Sequence, residues 1–528
     1  MESFAPAGFP ACAGEGVVRF DRALAARLIL AIAFLVAAAA YPIVRYGGDA
    51  PMLVLAALVG GYMALNIGAN DVANNVGPTV GARAMPITAA LVMAALGEVA
   101  GALIAGGEVV GTIRSGIIEP SLIPSPEAYV WVMMAALLAA AIWLNLATAL
   151  GAPVSTTHAI VGGVLGAGVA AAGSGVVDWG VMGNIALSWV ISPLFGAAMA
   201  AALLYGAKRG ITYQPDLIMA ARRGVPLLAA AMAWVFTTYL LLEGLAKVVP
   251  VSPVAAAAGG LLAGAAVWAV MRVHVRRRAA TLENSKAGVN RLLGVPLILA
   301  AAALSFAHGS NDVANAIGPL AGIVDALSSG AFHGEAAVPM WVMLLGAFGL
   351  AIGLLTFGPR VIRTVGAELT ALDALRAYCI AMSAALTVIV ASHLGMPIST
   401  THVTVGAILG VGYLREVLKA RHAAVIAAIR ASHAADDHAG SEAFIARFHA
   451  VPFGQRKAML ARLQACNGAG GSAAPGTARR RMPVCPGACE IVNRRLMLRI
   501  FAAWVITVPA TALVANLVFY TLRGMLLP

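Results

Sequence analysis

Apolar residues run along this chain in unbroken blocks, not in alternation with polar ones. Blocks close to the roughly 20 residues of a membrane-spanning helix occupy 24–44, 52–70, 87–109, 129–150, 181–205, 225–244, 252–272, 294–312, 338–358, 377–395 and 502–523. Two further stretches, 153–172 and 397–413, are shorter, glycine-rich and open on proline. The pattern predicts an all-α, polytopic membrane protein of about 12–13 segments, with the two short stretches as re-entrant hairpins or broken helices. Transmembrane strands require alternation, which is missing here. Arg19, Arg22 and Arg27 give the first block the charge pattern of a signal peptide. It covers a full span after a long polar lead, so it reads as a retained helix.

The polar connections set the direction. Lys208, Arg209, Arg222 and Arg223, the 273–293 loop with Arg276, Arg277, Arg278, Lys286 and Arg291, and the ends of 414–496 are basic. By the cytoplasmic bias of Lys and Arg these lie inside, while 110–128 and 321–337, with more acids than bases, lie outside. Composition agrees. Of 528 residues, 61% are hydrophobic and 11% charged, against about 25% charged in soluble proteins. The net charge of +12 would suggest a nucleic-acid partner in a soluble chain; here topology explains it and no nucleic acid is expected.

Residues 415–434 and 441–465 read as amphipathic helices and 467–478 as a flexible linker. The spacing Cys485-x3-Cys489 matches no zinc pattern, and 414–496 reads as a solvated insertion. The five cysteines are too scattered for a disulfide framework.

The chain also repeats itself. GANDVANNVGP at 68–78 returns as GSNDVANAIGP at 309–319, and PVSTTH at 153–158 returns as PISTTH at 397–402. Two unrelated motifs returning at nearly the same spacing indicate duplication. The predicted spans run in opposite directions before Asp71 and Asp312, so the halves are inverted, as in many secondary transporters. The organisation expected is an N-terminal segment 1–51, a first repeat 52–205, connecting helices 206–293, a second repeat 294–413, an insertion 414–496 and a C-terminal helix 497–528.

In the first motif, Asn70, Asp71, Asn74 and Asn75 lie between Gly68 and Gly77-Pro78; in its partner, Asn311, Asp312 and Asn315 lie between Gly309 and Gly318-Pro319. Carboxylates, amide oxygens and carbonyls freed by a helix break suit a hard cation, and Na⁺ is the candidate at Asp71 and Asp312. The bland reading is a helix cap at the interface. In the second motif, Ser155, Thr156 and Thr157, and Ser399, Thr400 and Thr401, follow a proline as at a helix start. Free N–H groups and hydroxyls there make an anion site; ordinary capping is the alternative. His158 and His402 close the motifs as proton-sensitive ligands or structural hydrogen-bond partners. Glu98 lies mid-span, where a carboxylate marks a cation or proton path or pairs with a neighbouring helix. Leu350 occupies the equivalent place in the second half, and His308 precedes the second signature.

At these residues the chain resembles the inorganic phosphate transporter family, the PiT-type permeases. The resemblance covers roughly 52–205 and 294–413 and includes four motif copies in order. It implies an inverted-repeat helical fold with two re-entrant hairpins and symport of phosphate with Na⁺ or H⁺. By position it gives Asp71, Asn74, Asp312, Asn315 and Glu98 to the cation path, and Ser155 to Thr157 and Ser399 to Thr401 to phosphate. The chain departs from the family in its first span, in the insertion after 413, and at Ala381, where many eukaryotic members carry glutamate; the last bears on coupling stoichiometry.

The expected partners are inorganic phosphate, Na⁺ or H⁺ and the bilayer, with homo-oligomerisation left open and no cofactor. A sulfate permease of the same fold is the alternative, since sulfate is also tetrahedral; a membrane anion sensor is the other. No nucleotide loop or pair of catalytic carboxylates points to an enzyme. The Ala- and Arg-rich composition and short loops suggest a bacterial inner-membrane protein.

Overall fold

A computed structural model describes residues 22–47, 50–149, 154–329, 337–365, 372–431, 438–451, 455–456, 458–461 and 494–526. Cys12, Pro153, the linker 467–478 and Cys466, Cys485 and Cys489 lie outside them. The helices are α1 (Arg22–Tyr46), α2 (Pro51–Gly81), α3 (Ile87–Ala105), α4 (Gly107–Gly111), α5 (Pro126–Ala149), α6 (Thr156–Ala172), α7 (Trp179–Ala207), α8 (Leu217–Glu243) and α9 (Pro253–Ala279). They continue with α10 (Lys286–Leu292), α11 (Gly294–Asp312), α12 (Ala314–Ser329), α13 (Met340–Val365), α14 (Ala374–His393), α15 (Thr400–Ala431), α16 (His438–Ala450) and α17 (Arg494–Leu526). Among the described residues the only β pairing is one isolated bridge, Ile118 to Val177.

Among the described residues, ten helices are long and apolar enough to cross a membrane, eleven with the bent pair of α10 and α11–α12. The shorter α6, 17 residues long, and the apolar start of α15 complete the expected set. The protein is an all-helical integral membrane protein.

Two hairpins organise the centre. Glu119 N–H donates to the Val176 carbonyl (2.8 Å) and Asp178 N–H to the Ile117 carbonyl (3.0 Å), so the α5–α6 hairpin begins and ends at one place. Its second arm, α6, starts on a Ser155 cap. The α14–α15 hairpin does the same from another end of the molecule, where Asp373 and Arg376 at the start of α14 face Arg415 of α15.

The packing is reciprocal. Helix α6 lies against α17 while α15 lies against α7, and α3 lies against α11 while α2 lies against α13. Small residues allow these close approaches. A Cβ on Gly162 or Gly166 would meet the α17 backbone at Val508 and Ala512; one on Gly406 or Gly410 would meet α7 at Pro193 and Ala197.

Two expectations are corrected. The signatures do not break their helices as predicted. Asn70 to Pro78 lie inside unbroken α2, and the second signature is interrupted only at Val313, between α11 and α12. The freed carbonyls come from proline alone: having no N–H, Pro78 and Pro319 cannot bond the carbonyls four residues back, those of Asn74 and Asn315. Residues 415–431, expected as a separate helix, are the outer end of α15. Nothing between Thr400 and Ala431 caps or kinks it, so charge appears where the helix leaves the apolar body, not where it stops.

Candidate functional site

The site forms where the two hairpin tips meet the two signatures. Asp71, Glu98, His308 and Asp312 have no exposed surface, and Ser155 to Thr157 and Ser399 to Thr401 are buried. Each tip begins with a serine cap: Ser155 Oγ accepts from His158 N–H and Ser399 Oγ from His402 N–H, both at 3.2 Å. The second motif is thus a helix start, as expected, and its serines have the bland role at least in part.

The threonines join the tips to the acids. Thr156 Oγ1 donates to Asp71 Oδ2 (3.0 Å) and Thr400 Oγ1 to Asp312 Oδ2 (2.9 Å). The amides cross between halves: Asn74 Nδ2 donates to Thr401 Oγ1 (2.8 Å) and Asn315 Nδ2 to Thr157 Oγ1 (3.1 Å). Thr401 Oγ1 also lies 2.9 Å from Asp71 Oδ1, while Thr157 Oγ1 donates to the Ile398 carbonyl (2.9 Å). Asn70 reaches the Val154 carbonyl (3.1 Å) and Asn311 the Met396 carbonyl (3.1 Å), tying each signature to the turn before a tip. Asn70, Asp71, Asn74, Asn311, Asp312 and Asn315 thus meet Ser155 to Thr157 and Ser399 to Thr401 in one cluster.

His308 sits at the centre. Its Nδ1 lies 2.9 Å from Glu98 Oε1, and its Nε2 lies 3.0 Å from Asp312 and 3.8 Å from Asp71. Close packing of α3 and α11 holds this geometry, because a Cβ at Gly309 would collide with the Glu98 backbone. Gly68 meets the Leu350 backbone in the same way. The position matching His308 in the first signature is Ile67. One half supplies the acid and the other the imidazole.

One ligand atom each from Asp71, His308 and Asp312 falls within a 4.8 Å span. Five buried oxygens around them, Asp312 Oδ1, Glu98 Oε2 and the Oδ1 atoms of Asn75, Asn311 and Asn315, have no donor among the described residues. Unpaired buried acceptors are costly, and this set of hard oxygen ligands is what a desolvated alkali cation or a proton needs.

The sequence reading gave Asn75 no role toward Glu98, yet its Nδ2 donates to Glu98 Oε1 (2.8 Å). It missed Tyr239, whose hydroxyl donates to Ser310 Oγ (3.1 Å), and Ser392, which accepts from Asn311 (3.0 Å). No local motif marks these. It also missed a column of rings behind the tips: Trp189 on His158 (3.8 Å between centroids), His158 on His402 (4.3 Å), and His402 on Trp504 (3.5 Å). A signal did exist: SWVIS at 188–192 returns as AWVIT at 503–507.

Fold and site together define a polytopic helical membrane protein with a buried acid–amide–hydroxyl centre. Residues 67–515 match the model of the phosphate transporter family, and the chain belongs to that family. It is 42% identical over 505 residues to a Helicobacter pylori (strain J99) protein named "Putative phosphate permease", across 94% of this chain and 95% of the relative. A Chlamydia trachomatis protein of the same name is 40% identical over 386 residues, 69% of this chain and 90% of its own length. Among solved structures, one described as the sodium-dependent phosphate transporter superposes with a TM-score of 0.73 at 28% identity, covering 90% of this chain and all of the other.

Proposed function

We propose that the chain is a secondary active symporter carrying inorganic phosphate with Na⁺ or H⁺, built from two inverted halves. The observation that carries the reading is the crossed lattice at the hairpin tips. Each aspartate accepts from a threonine of its own half, and Asn74 and Asn315 each donate to a threonine of the other. A centre so shared links the two hairpins to one occupancy state, which coupled transport requires. The donor-free oxygens around Asp71, Glu98, His308 and Asp312 are the cation region, with Asn70, Asn74, Asn311 and Asn315 holding its frame. The two N-termini at Thr156 and Thr400, with Ser155, Thr157, Ser399 and Thr401, are the phosphate region; free N–H groups there suit an oxyanion. The reciprocal packing of α6 on α17 and α15 on α7 supports the inverted arrangement and makes α17 the counterpart of α7. The relatives' names support phosphate, and the solved structure's description supports Na⁺ over H⁺. The bacterial relatives favour the inner membrane.

Purified protein in liposomes decides the reading. Labelled phosphate should accumulate under an inward Na⁺ or proton gradient and labelled sulfate should not. Equal accumulation of sulfate would replace the substrate; accumulation of neither anion under either gradient would reject symport.

A further inference from the structure

Beyond the apolar body, α15 and α16 pack around a small cluster of Ile429, Ile445 and Phe448. On this pair, exposed His422 of α15 and exposed His449 of α16 bring their Nε2 atoms to 3.3 Å. An N–H donor prefers a separation of about 2.9–3.0 Å from its acceptor, so the pair is wide for a hydrogen bond. Two imidazole nitrogens each about 2.0–2.1 Å from a tetrahedral Zn²⁺ stand about 3.3–3.4 Å from each other. The ring centroids are 5.3 Å apart with planes 35° from parallel. That is too close for rings meeting head-on across this gap, so the two Nε2 vertices converge at an angle, as ligands of one ion do.

We propose that His422 and His449 form a site for a borderline divalent transition metal of the Zn²⁺ class, which pins α15 to α16. Imidazole nitrogens suit Zn²⁺, Ni²⁺ and Cu²⁺ rather than Mg²⁺ or Ca²⁺, and water completes the coordination at this exposed place. Arg456 is the cationic neighbour that opposes an incoming ion. Its charge is directed to the His449 carbonyl (2.9 Å) and the Val451 carbonyl (3.0 Å) and lies over the Phe448 ring. The site has leverage on transport. Helix α15 runs unbroken from Thr400, and His422 lies about 33 Å along it from that tip. An ion bound there restrains the far end of the helix that presents Thr400 and Thr401.

The test uses the full chain with Cys466, Cys485 and Cys489 replaced by Ser, so that thiols do not compete. Titration calorimetry with Zn²⁺ should give one ion per chain. His422→Ala and His449→Ala should each weaken binding at least tenfold, and the double variant should be no weaker than either alone. Zn²⁺ should slow backbone hydrogen exchange across 415–450 in the parent and not in the variants; both side chains are exposed, and matching metal-free exchange verifies the fold. Zn²⁺ affinity unchanged in both single variants, or no binding by the parent, overturns the proposal.

Discussion

The centre is symmetric in its aspartates and threonines and asymmetric in its charge pair. Asp71 and Asp312 are the two carboxylates that recur at equivalent positions, and each accepts a threonine hydroxyl. Glu98 and His308 have no such partners in the other half; they face each other instead. An anion entering a cell is opposed by about 2.3 kcal/mol per charge per 100 mV, so uphill uptake needs cation charge in excess of the anion's. Asp71→Asn and Asp312→Asn keep shape and one acceptor oxygen while losing the charge that, in the proposed symport, offsets cation desolvation. Each should abolish accumulation against a gradient while leaving a folded, inserted protein; the accumulation ratio, read beside expression, checks this. Wild-type ratios in both would reduce the aspartates to caps and shift coupling to Glu98 and His308. The serines make a second expectation. Ser155→Ala or Ser399→Ala removes the acceptor for a buried N–H, at about 1 kcal/mol of helix stability. It also removes one hydroxyl from the proposed anion region, which should raise the half-saturation concentration a few-fold to a hundred-fold at about 1–3 kcal/mol per bond to a charged group. Threonine keeps the cap, so Ser155→Thr should lie near wild type. A threonine variant as impaired as the alanine one would remove the cap from the explanation.

At the scale of elements, glycines bring the tips together. Gly406 and Gly410 face the α7 backbone, and Gly162 and Gly166 face α17. Gly410→Ala places a methyl against the Ala197 backbone, which cannot rotate away, so overpacking of about 1–3 kcal/mol is expected. Gly183, also on α7, has nothing within 4 Å of an added Cβ. Gly183→Ala should therefore be neutral or gain up to about 1 kcal/mol from helix propensity. Thermal unfolding in detergent compares the two, and equal shifts would mean that the close approach of α15 to α7 carries no stability. The spacing of these glycines, like the paired WVI segments, was present in the sequence and went unused. Span positions were legible because apolar runs are long and uninterrupted, and the clustered residues stood out because the same residue types return in two motif copies. Helix continuity was not legible. Gly and Pro in GANDVANNVGP and GSNDVANAIGP look like breakers, yet packing against α13 and α3 keeps those helices nearly whole and proline costs them one hydrogen bond each. Tyr239 and Ser392 escaped because each acts through a contact more than 70 residues distant, which no local pattern records.

At the scale of the molecule, the hairpins open toward ends of different charge. The ends of α5–α6 gather Glu119, Glu127 and Asp178 beside Arg114, whose guanidinium is paired with Asp325 at 2.5 Å. The ends of α14–α15 lie among Arg376, Arg415, Lys208 and Lys286, with Asp373 as the acidic neighbour. By the cytoplasmic bias of Lys and Arg, the proposed arrangement puts the second end inside the cell. Under the proposed symport, the α5–α6 hairpin would enter from outside and α14–α15 from inside, the opposed arrangement that alternating access uses. Ser121, exposed beside the first hairpin, and Thr281, exposed on the 280–285 connection near Lys286, report the two ends. In a chain whose five native cysteines are replaced, Ser121→Cys should react with a membrane-impermeant thiol reagent added to intact cells, and Thr281→Cys only after permeabilisation. In inside-out vesicles the order should reverse. If both positions react from the same side, the hairpins open to one compartment, and a mechanism with opposed gates fails whatever the substrate.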